Sequence, residues 1–303
     1  MIVVTAPTGR IGSKLVPLLL DSGEPLRIIT RDPAKLSEAA RESAEIVTGS
    51  HRDREVVDRA FDGADSVFWL MPASPTAASP YEAYVAASIP AADAVVRHGV
   101  QRVVTISALG RGTGIYAGHI SASWAMDDLF RSTGTHVRAL TMPSFMDNFI
   151  RQAPSIARGV VTWSLPAELA MPWAATTDIA AVAARLLRDH EWVGQDSVGV
   201  LGPEDLSLND IASILSDVLG TPVRYELSDR AATKRYLVEN GFSEAMAQGL
   251  IDMEIAGERG INNAIERTAE NTTPTSFRTF AEEAIVPAVR ALHGEGVATV
   301  TSN

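Results

Sequence analysis

Ile2-Val3-Val4-Thr5-Ala6-Pro7-Thr8-Gly9-Arg10-Ile11-Gly12 decides the fold of this chain. Three β-branched residues run into a turn with glycines at 9 and 12. A helix then opens, with apolar residues at Ile11, Leu15, Leu18 and Leu19. Strand, glycine turn and helix together form a phosphate cradle: glycines let backbone approach a pyrophosphate, and the helix start offers free N–H groups and a positive dipole end. Ala6 stands where the first glycine of a G-x-x-G-x-x-G pattern would be. An alanine there costs little if φ stays negative and more if φ must be positive.

Outward from this turn, strand and helix signals alternate. Leu26–Thr30, Glu45–Gly49, Ser66–Met71, Arg102–Ser107 and Val137–Thr141 read as strands two to six. Between them, helices are expected from Asp32-Pro33, over Arg54–Phe61, over Tyr81–His98 and over Ser121–Ser132. This rhythm predicts an α/β Rossmann fold, a doubly wound parallel sheet. Beyond Pro143 the rhythm loosens. Helices are expected over Thr177–Leu187 and Ser207–Leu219, strands over Ser197–Leu201 and Pro222–Glu226, and a mostly helical pattern from Asp229 to Arg290. The expected organisation is a dinucleotide-binding domain over 1–150. An interwoven C-terminal lid and substrate region covers 151–295, with 177–205 returning to the sheet, and a tail covers 296–303.

The 303 residues are 46% hydrophobic, enough for a sizeable core, and the net charge is −11. That charge argues against a nucleic-acid surface, which needs basic residues to neutralise phosphate. The chain has no cysteine, so disulfides, thiolate zinc sites and a cysteine nucleophile are excluded, and no metal site is expected. Met1 leads directly into a core strand, and the longest apolar stretch, Ala83–Val96, is broken by Ser88, Pro90 and Asp93. No leader, no membrane span and a cytoplasmic location are the expectation.

Arg31 follows strand two, 19 residues after Gly12. An acid near this position favours NAD through the ribose hydroxyls, and an arginine accommodates a 2′-phosphate, so Arg31 points to NADP. The alternative is a solvated arginine pairing with Asp32, and Asp32 leaves NAD open. Met71-Pro72 and Ser107 follow strands four and five at their carboxyl ends, where such sheets bind ligands and small residues let a nicotinamide ribose approach. A standard short-chain dehydrogenase uses a tyrosine and a lysine four residues later. The only lysines here are Lys14, Lys35 and Lys234, none four residues after a tyrosine, so that pair is absent. Tyr116, His119 and Ser123 lie near its place. His119 could give a proton near neutral pH, or could simply cap the helix. Trp124, Trp163, Trp173, Phe145 and Met146 are candidates for an apolar wall around a planar ligand, whereas Trp69 reads as sheet core.

Together these residues resemble the NmrA-like branch of the atypical short-chain dehydrogenases/reductases over nearly the whole chain. The resemblance rests on Thr8–Gly12, Thr30-Arg31-Asp32-Pro33, Gly63–Phe68, His119, Arg131–Gly134, Pro143-Ser144-Phe145-Met146-Asp147-Asn148, Asp178-Ile179-Ala180 and Gly202–Ser207. It implies a Rossmann domain with a small lid. It also implies cofactor contacts from the turn (Thr8, Gly9, Arg10, Ile11, Gly12), from Arg31 and from Pro143 and Phe145, and a substrate contact from Asn148. The family includes NAD(P)H-dependent quinone, azo-dye and triphenylmethane reductases, enzymes of aromatic polyketide pathways, and non-catalytic dinucleotide sensors. In its reductases a lysine often follows the histidine by four residues; here that position is Ser123. The family's acid after strand three is Ser50 here, which alters the adenine pocket.

Two functions follow as expectations. One is hydride transfer from NAD(P)H to a quinone-like or aromatic polyketide substrate, with oxygen-dependent hydroxylation as a variant. A quinone that accepts hydride yields a stabilised phenolate, so the demand for a strong acid is low. The other is a non-catalytic NAD(P)-sensing regulator. The partner expected is a small aromatic molecule, and the oligomeric state is left open.

Overall fold

The structure, a computed structural model, describes residues 1–297; of the expected tail, 298–303 lie outside the described residues. The first half builds β1 (Ile2–Val4), α1 (Gly12–Leu20), β2 (Leu26–Thr30), α2 (Glu38–Ser43), β3 (Glu45–Thr48), α3 (Arg54–Phe61) and β4 (Ser66–Trp69). There follow α4 (Ala87–His98), β5 (Arg102–Ala108), α5 (His119–Arg131) and β6 (His136–Met142). The second half adds β7 (Ser144–Phe145), α6 (Ala153–Ile156), β8 (Val160–Trp163), β9 (Met171–Ala174), α7 (Thr176–Arg188) and β10 (Gln195–Gly199). It ends with β11 (Asp205–Leu206), α8 (Leu208–Leu219), β12 (Arg224–Leu227), α9 (Arg230–Glu239), α10 (Glu244–Glu258), α11 (Phe277–Phe280) and α12 (Val286–Val297).

Seven parallel strands in the order β10-β6-β5-β4-β1-β2-β3 form the central sheet, the Rossmann arrangement extended by one strand. Order reverses between β1 and β4, and the crevice at that switch point is where such sheets take ligands. Thr5 stitches it: its hydroxyl donates to the Phe68 carbonyl at 3.1 Å and accepts from the Leu70 N–H at 2.9 Å. One face buries α1 and α7 against Val4, Ile28, Phe68 and Leu140. The other buries α3, α4 and α5 around Phe61, Trp69 and Phe130, whose rings meet edge-on or tilted. Strand residues covered on both faces explain the unbroken apolar runs. Among the described residues, no helix is long and apolar enough to cross a membrane.

α7 and β10 put 176–199 on the large sheet, and the remainder of the second half forms its own core around Phe149, Trp173 and Phe277. Two small sheets join it, β11-β9-β7 and β12-β8. The strand expected over Pro222–Glu226 is β12, whereas β7, β8, β9 and β11, of two to four residues, carry too little pattern to be read from sequence. Four boundaries move for physical reasons. Asp32 caps only a short turn over Pro33–Lys35, and α2 starts afresh behind a Ser37 cap. The helix expected from Tyr81 opens with a wide turn over Glu82–Ala86, because Pro90 has no N–H for the Ala86 carbonyl. α5 begins two residues early, behind Gly118, at His119. The seventh strand pairs earlier than expected, over Gln195–Gly199, because its register follows β6.

At the opening turn, Ala6 adopts φ +49°, the costlier of the two cases for an alanine. A side chain at Gly12 would run into the Ala6 carbonyl and the Pro7 Cα, so only glycine lets α1 start this close. Ala6→Gly should therefore raise the unfolding free energy by about 1 kcal/mol in urea denaturation, the left-handed strain relieved exceeding the added chain entropy; a loss of stability would contradict the strain.

Candidate functional site

Two hollows meet the carboxyl edge of the sheet. The first is a cleft of about 520 Å³ over the glycine turn, lined by Ala6, Pro7, Thr8, Gly9, Thr30, Arg31, Asp32, Lys35, Gly49, His51 and Pro72. No side chain caps α1; the Ser13 and Lys14 amides donate to the Gly9 and Ile11 carbonyls, whereas the Ile11 and Gly12 amides have no partner among the described residues and can meet an anion. Asp32 is occupied: its carboxylate accepts from the Ala34 N–H at 3.1 Å and faces Lys35 at 3.7 Å. Arg31 is exposed and, among the described residues, forms no ion pair. The pairing of Arg31 with Asp32 that sequence allowed is thus not made, because Asp32 caps its own turn.

His51 is the part of this cleft that sequence reasoning missed. Its ring meets Trp69 edge-on at 5.4 Å, and its Nε2 is buried without a partner. Burial, then the charges of Arg52 and Arg31, push its pKa down to about 4. The Arg52 guanidinium reaches the Pro72 carbonyl across the cleft. The region is therefore positive, with a neutral imidazole at its floor.

The second hollow is an apolar cavity of about 330 Å³ beneath α10. Ile11, Met71, Ser107, Pro143 and Phe145 line it from the turn and the ends of β4, β5 and β6. His119, Ser123, Asn148 and Trp163 line it from the other side. Pro72 belongs to the cleft instead. Arg10 and Gly12 stay in the turn but line neither hollow, and four further candidates lie away from both. Tyr116 is 57% exposed, on a loop before α5. Trp124 spends its indole N–H on the Ala108 carbonyl at 3.0 Å and packs with Ile115 and Ile120. Met146 and Trp173 are each 1% exposed in the core of the second half, where Trp173 donates to the Leu206 carbonyl. Large apolar side chains near a site fill the core as readily as they face a ligand, and one-dimensional pattern does not separate the two.

Within the cavity the hydrogen bonds assign protons. His119 Nε2 is 2.9 Å from the Met246 carbonyl, an acceptor, so the ring carries its proton there. Burial lowers the His119 pKa, so the ring is neutral at neutral pH and its N–H is already committed. That arrangement works against the proton-donor role that sequence suggested for His119. Ser123 donates to the Ile120 carbonyl at 2.8 Å. Gly118 and Gly249 let α10 pack directly on this corner, since a side chain at either would strike backbone or the His119 ring. Ser107 and Thr105 both donate to Asp127, a fully buried carboxylate whose pKa burial raises. Ser107 therefore meets the cavity as an acceptor. Tyr84, unnoticed in the sequence, meets His119 edge-on at 5.9 Å, and burial pushes its pKa up to about 12.

Asp147 ties the glycine turn and α1 to the segment after β6. The Arg10 guanidinium donates to its carbonyl, and Lys14 reaches its carboxylate at 3.2 Å. Thr176 closes the group through its N–H at 2.9 Å and its hydroxyl at 2.6 Å.

The family model described as NmrA-like family matches residues 1–282. The chain belongs to the NmrA-like family. A (4-alkanoyl-5-oxo-2,5-dihydrofuran-3-yl)methyl phosphate reductase of Streptomyces griseus is 28% identical, over 93% of this chain and 96% of that one. An NAD(P)H azoreductase of Xenophilus azovorans is 28% identical over the same shares. Among solved structures, an NADPH-dependent quinone oxidoreductase from Escherichia coli superposes with a TM-score of 0.75 at 19% identity, covering 93% of this chain and 99% of that one. That likeness confirms the fold.

The displaced His51 pKa has a measurable consequence. A histidine whose folded pKa lies below its unfolded value stabilises the fold above pH 6.5 and loses that contribution as pH falls toward 4. The loss through this group should reach about 3 kcal/mol in urea denaturation across that range, and His51→Gln should flatten it. Parallel profiles for the two proteins would refute the assignment.

Proposed function

We propose that this protein is an NAD(P)H-dependent reductase that delivers hydride to a quinone-like or other electron-poor aromatic acceptor, with NADP as its preferred dinucleotide. The observation that carries this reading is the junction of an anion-ready glycine turn with an apolar cavity at the switch point of the sheet. The named activities of the Streptomyces and Xenophilus relatives are reductions of small molecules, which supports the same class. The residues fit the group: the cradle at Gly12 is one a Cβ would fill, and Arg31 stands ready beside an already occupied Asp32. Bound there, the dihydronicotinamide supplies the hydride.

The chain's own residues do the positioning. The Ile11 and Gly12 amides at the start of α1 would hold the diphosphate and Arg31 the 2′-phosphate. Ser107, its proton turned toward Asp127, would accept from a ribose hydroxyl. Phe145, Met71 and Ile11 would bound the nicotinamide, and Trp163 and Tyr84 the acceptor. Water is excluded by the α10 side of the cavity, which sharpens every charge interaction inside. The quinol so formed can react onward with dioxygen, and net hydroxylation of a polyketide quinone is the oxygen-linked extension of this proposal.

NADPH mixed with the protein and a panel of naphthoquinones and anthraquinones should lose its nicotinamide absorbance, with oxygen uptake reporting the extension. Tight dinucleotide binding without turnover of any acceptor would favour the sensor reading instead. Arg31→Ala should weaken NADPH binding about 10- to 100-fold, the effect of a charge-assisted contact of about 1.5–3 kcal/mol, and NADH much less. Equal losses for both dinucleotides would refute the role of Arg31.

A further inference from the structure

Glu254 is an acid set in an apolar sequence, Leu250-Ile251-Asp252-Met253-Glu254-Ile255-Ala256 on α10. It lines the cavity assigned above to the acceptor. It also lines a second, polar chamber of about 280 Å³ that includes Gln152, Thr162, Ser228 and Thr233. Asn148, Trp163 and Glu254 are common to both chambers and form the partition between them. Of those three, only Glu254 titrates.

We infer that Glu254 is the proton donor of the reduction, giving its proton to the acceptor in the apolar cavity and regaining one from solvent through the polar chamber. The inference rests on the reductase reading. The acceptor gains a hydride, two electrons and one hydrogen, and so acquires a negative oxygen. The proton on Glu254 passes to that oxygen, the Glu254 O–H bond breaks as the new O–H forms, and a carboxylate remains. A solvent proton entering by the polar chamber restores the acid, and the sum is acceptor plus hydride plus proton.

The surroundings suit this cycle. The Ser164 hydroxyl donates to Oε2, which leaves Oε1 for the exchangeable proton. Burial raises the Glu254 pKa, opposed by the Ser164 hydrogen bond and then by the Arg230 charge. Arg230, on α9, is shared with Glu258 through a 2.6 Å ion pair, so it does not hold Glu254 permanently ionised. Facing groups from other elements are Tyr225 on β12, whose hydroxyl donates to the Trp163 carbonyl, Arg151 across the polar chamber, and His119 and Tyr84 across the cavity. Asp252, on the same helix, acts electrostatically on His119 and Tyr116. His119 has its N–H committed, and Tyr84, pushed up to about 12, is a far weaker acid than a carboxyl.

The test compares wild type, Glu254→Gln, Glu254→Asp, Ser164→Ala and Tyr84→Phe with NADPH and a quinone acceptor, reading kcat and KM across pH and in heavy water. Wild-type kcat should fall as pH rises through the Glu254 pKa and show a solvent isotope effect. E254Q should lose about 10²-fold in kcat, the low end for an acid catalyst because the phenolate formed is already stabilised, along with that limb and the solvent effect, while still binding NADPH; E254D should recover part of each. S164A removes a bond that favours the carboxylate, so the limb should move to higher pH, and Y84F should keep it in place. An unchanged limb in E254Q, or a rise in KM alone, would overturn the donor role while leaving the reductase reading intact. A wild type that binds NADPH but reduces no acceptor would overturn both.

Discussion

Asp147 is the point on which the two halves of the molecule depend. It is 3% exposed, and its carboxylate is shared by the Lys14 ammonium and the Thr176 hydroxyl and N–H, while its own carbonyl receives Arg10. Those partners come from the phosphate turn's helix and from the start of α7. A buried carboxylate is tolerable only when its oxygens are satisfied, and each partner here satisfies one demand. The arrangement locks the start of α1 to the segment after β6, and so places the anion-ready turn beside the cavity. With Gly12 allowing the turn to close on itself, the geometry of the dinucleotide cleft follows from these few contacts.

Neutrality is the electrostatic theme of the cavity. His119 is uncharged and its N–H is used, Ser107 points its proton at Asp127, and Tyr84 holds its phenol proton tightly. Of the titratable groups lining the cavity, Glu254 alone also lines the polar chamber. The cleft over the turn is the opposite: Arg31 and Arg52 dominate it, and their field helps keep His51 neutral. One hollow is thus dominated by positive charge and the other is lined mostly by apolar and neutral groups. Ser123, four residues after His119, makes only a local bond to the Ile120 carbonyl.

Legibility in the sequence followed the strength of local pattern. The six strands and most of the helices between them were readable because parallel strands buried on both faces are continuous apolar runs, and a glycine such as Gly99 marks where a helix ends. Motif spacing reflects a backbone shape, which is why Gly9 and Arg31 border one cleft and why only glycine fits at position 12. Met146, Trp173 and Trp124 were expected at a substrate wall from residue type and place in the chain; burial puts Met146 and Trp173 in the core, and half-buried Trp124 is held by its bond to the Ala108 carbonyl. Asp127, Tyr84, His51 and Glu254 gave weaker signals. An acid inside an apolar helical run, as at Glu254 and Asp127, is the one cue that could have singled out two of them.

By itself, then, the sequence determined the doubly wound sheet, the anion-binding turn and the absence of the tyrosine–lysine pair, because each is written in neighbouring residues: alternation, glycine spacing and a count of lysines. Only the tertiary structure decided which side chains meet. Glu254 reaches the cavity because α10 crosses α5 at Gly118 and Gly249, and Asp147 reaches Lys14 across 133 positions. Proton placement and pKa are properties of such meetings, since burial and partners from distant segments set them, and no local pattern carries that information.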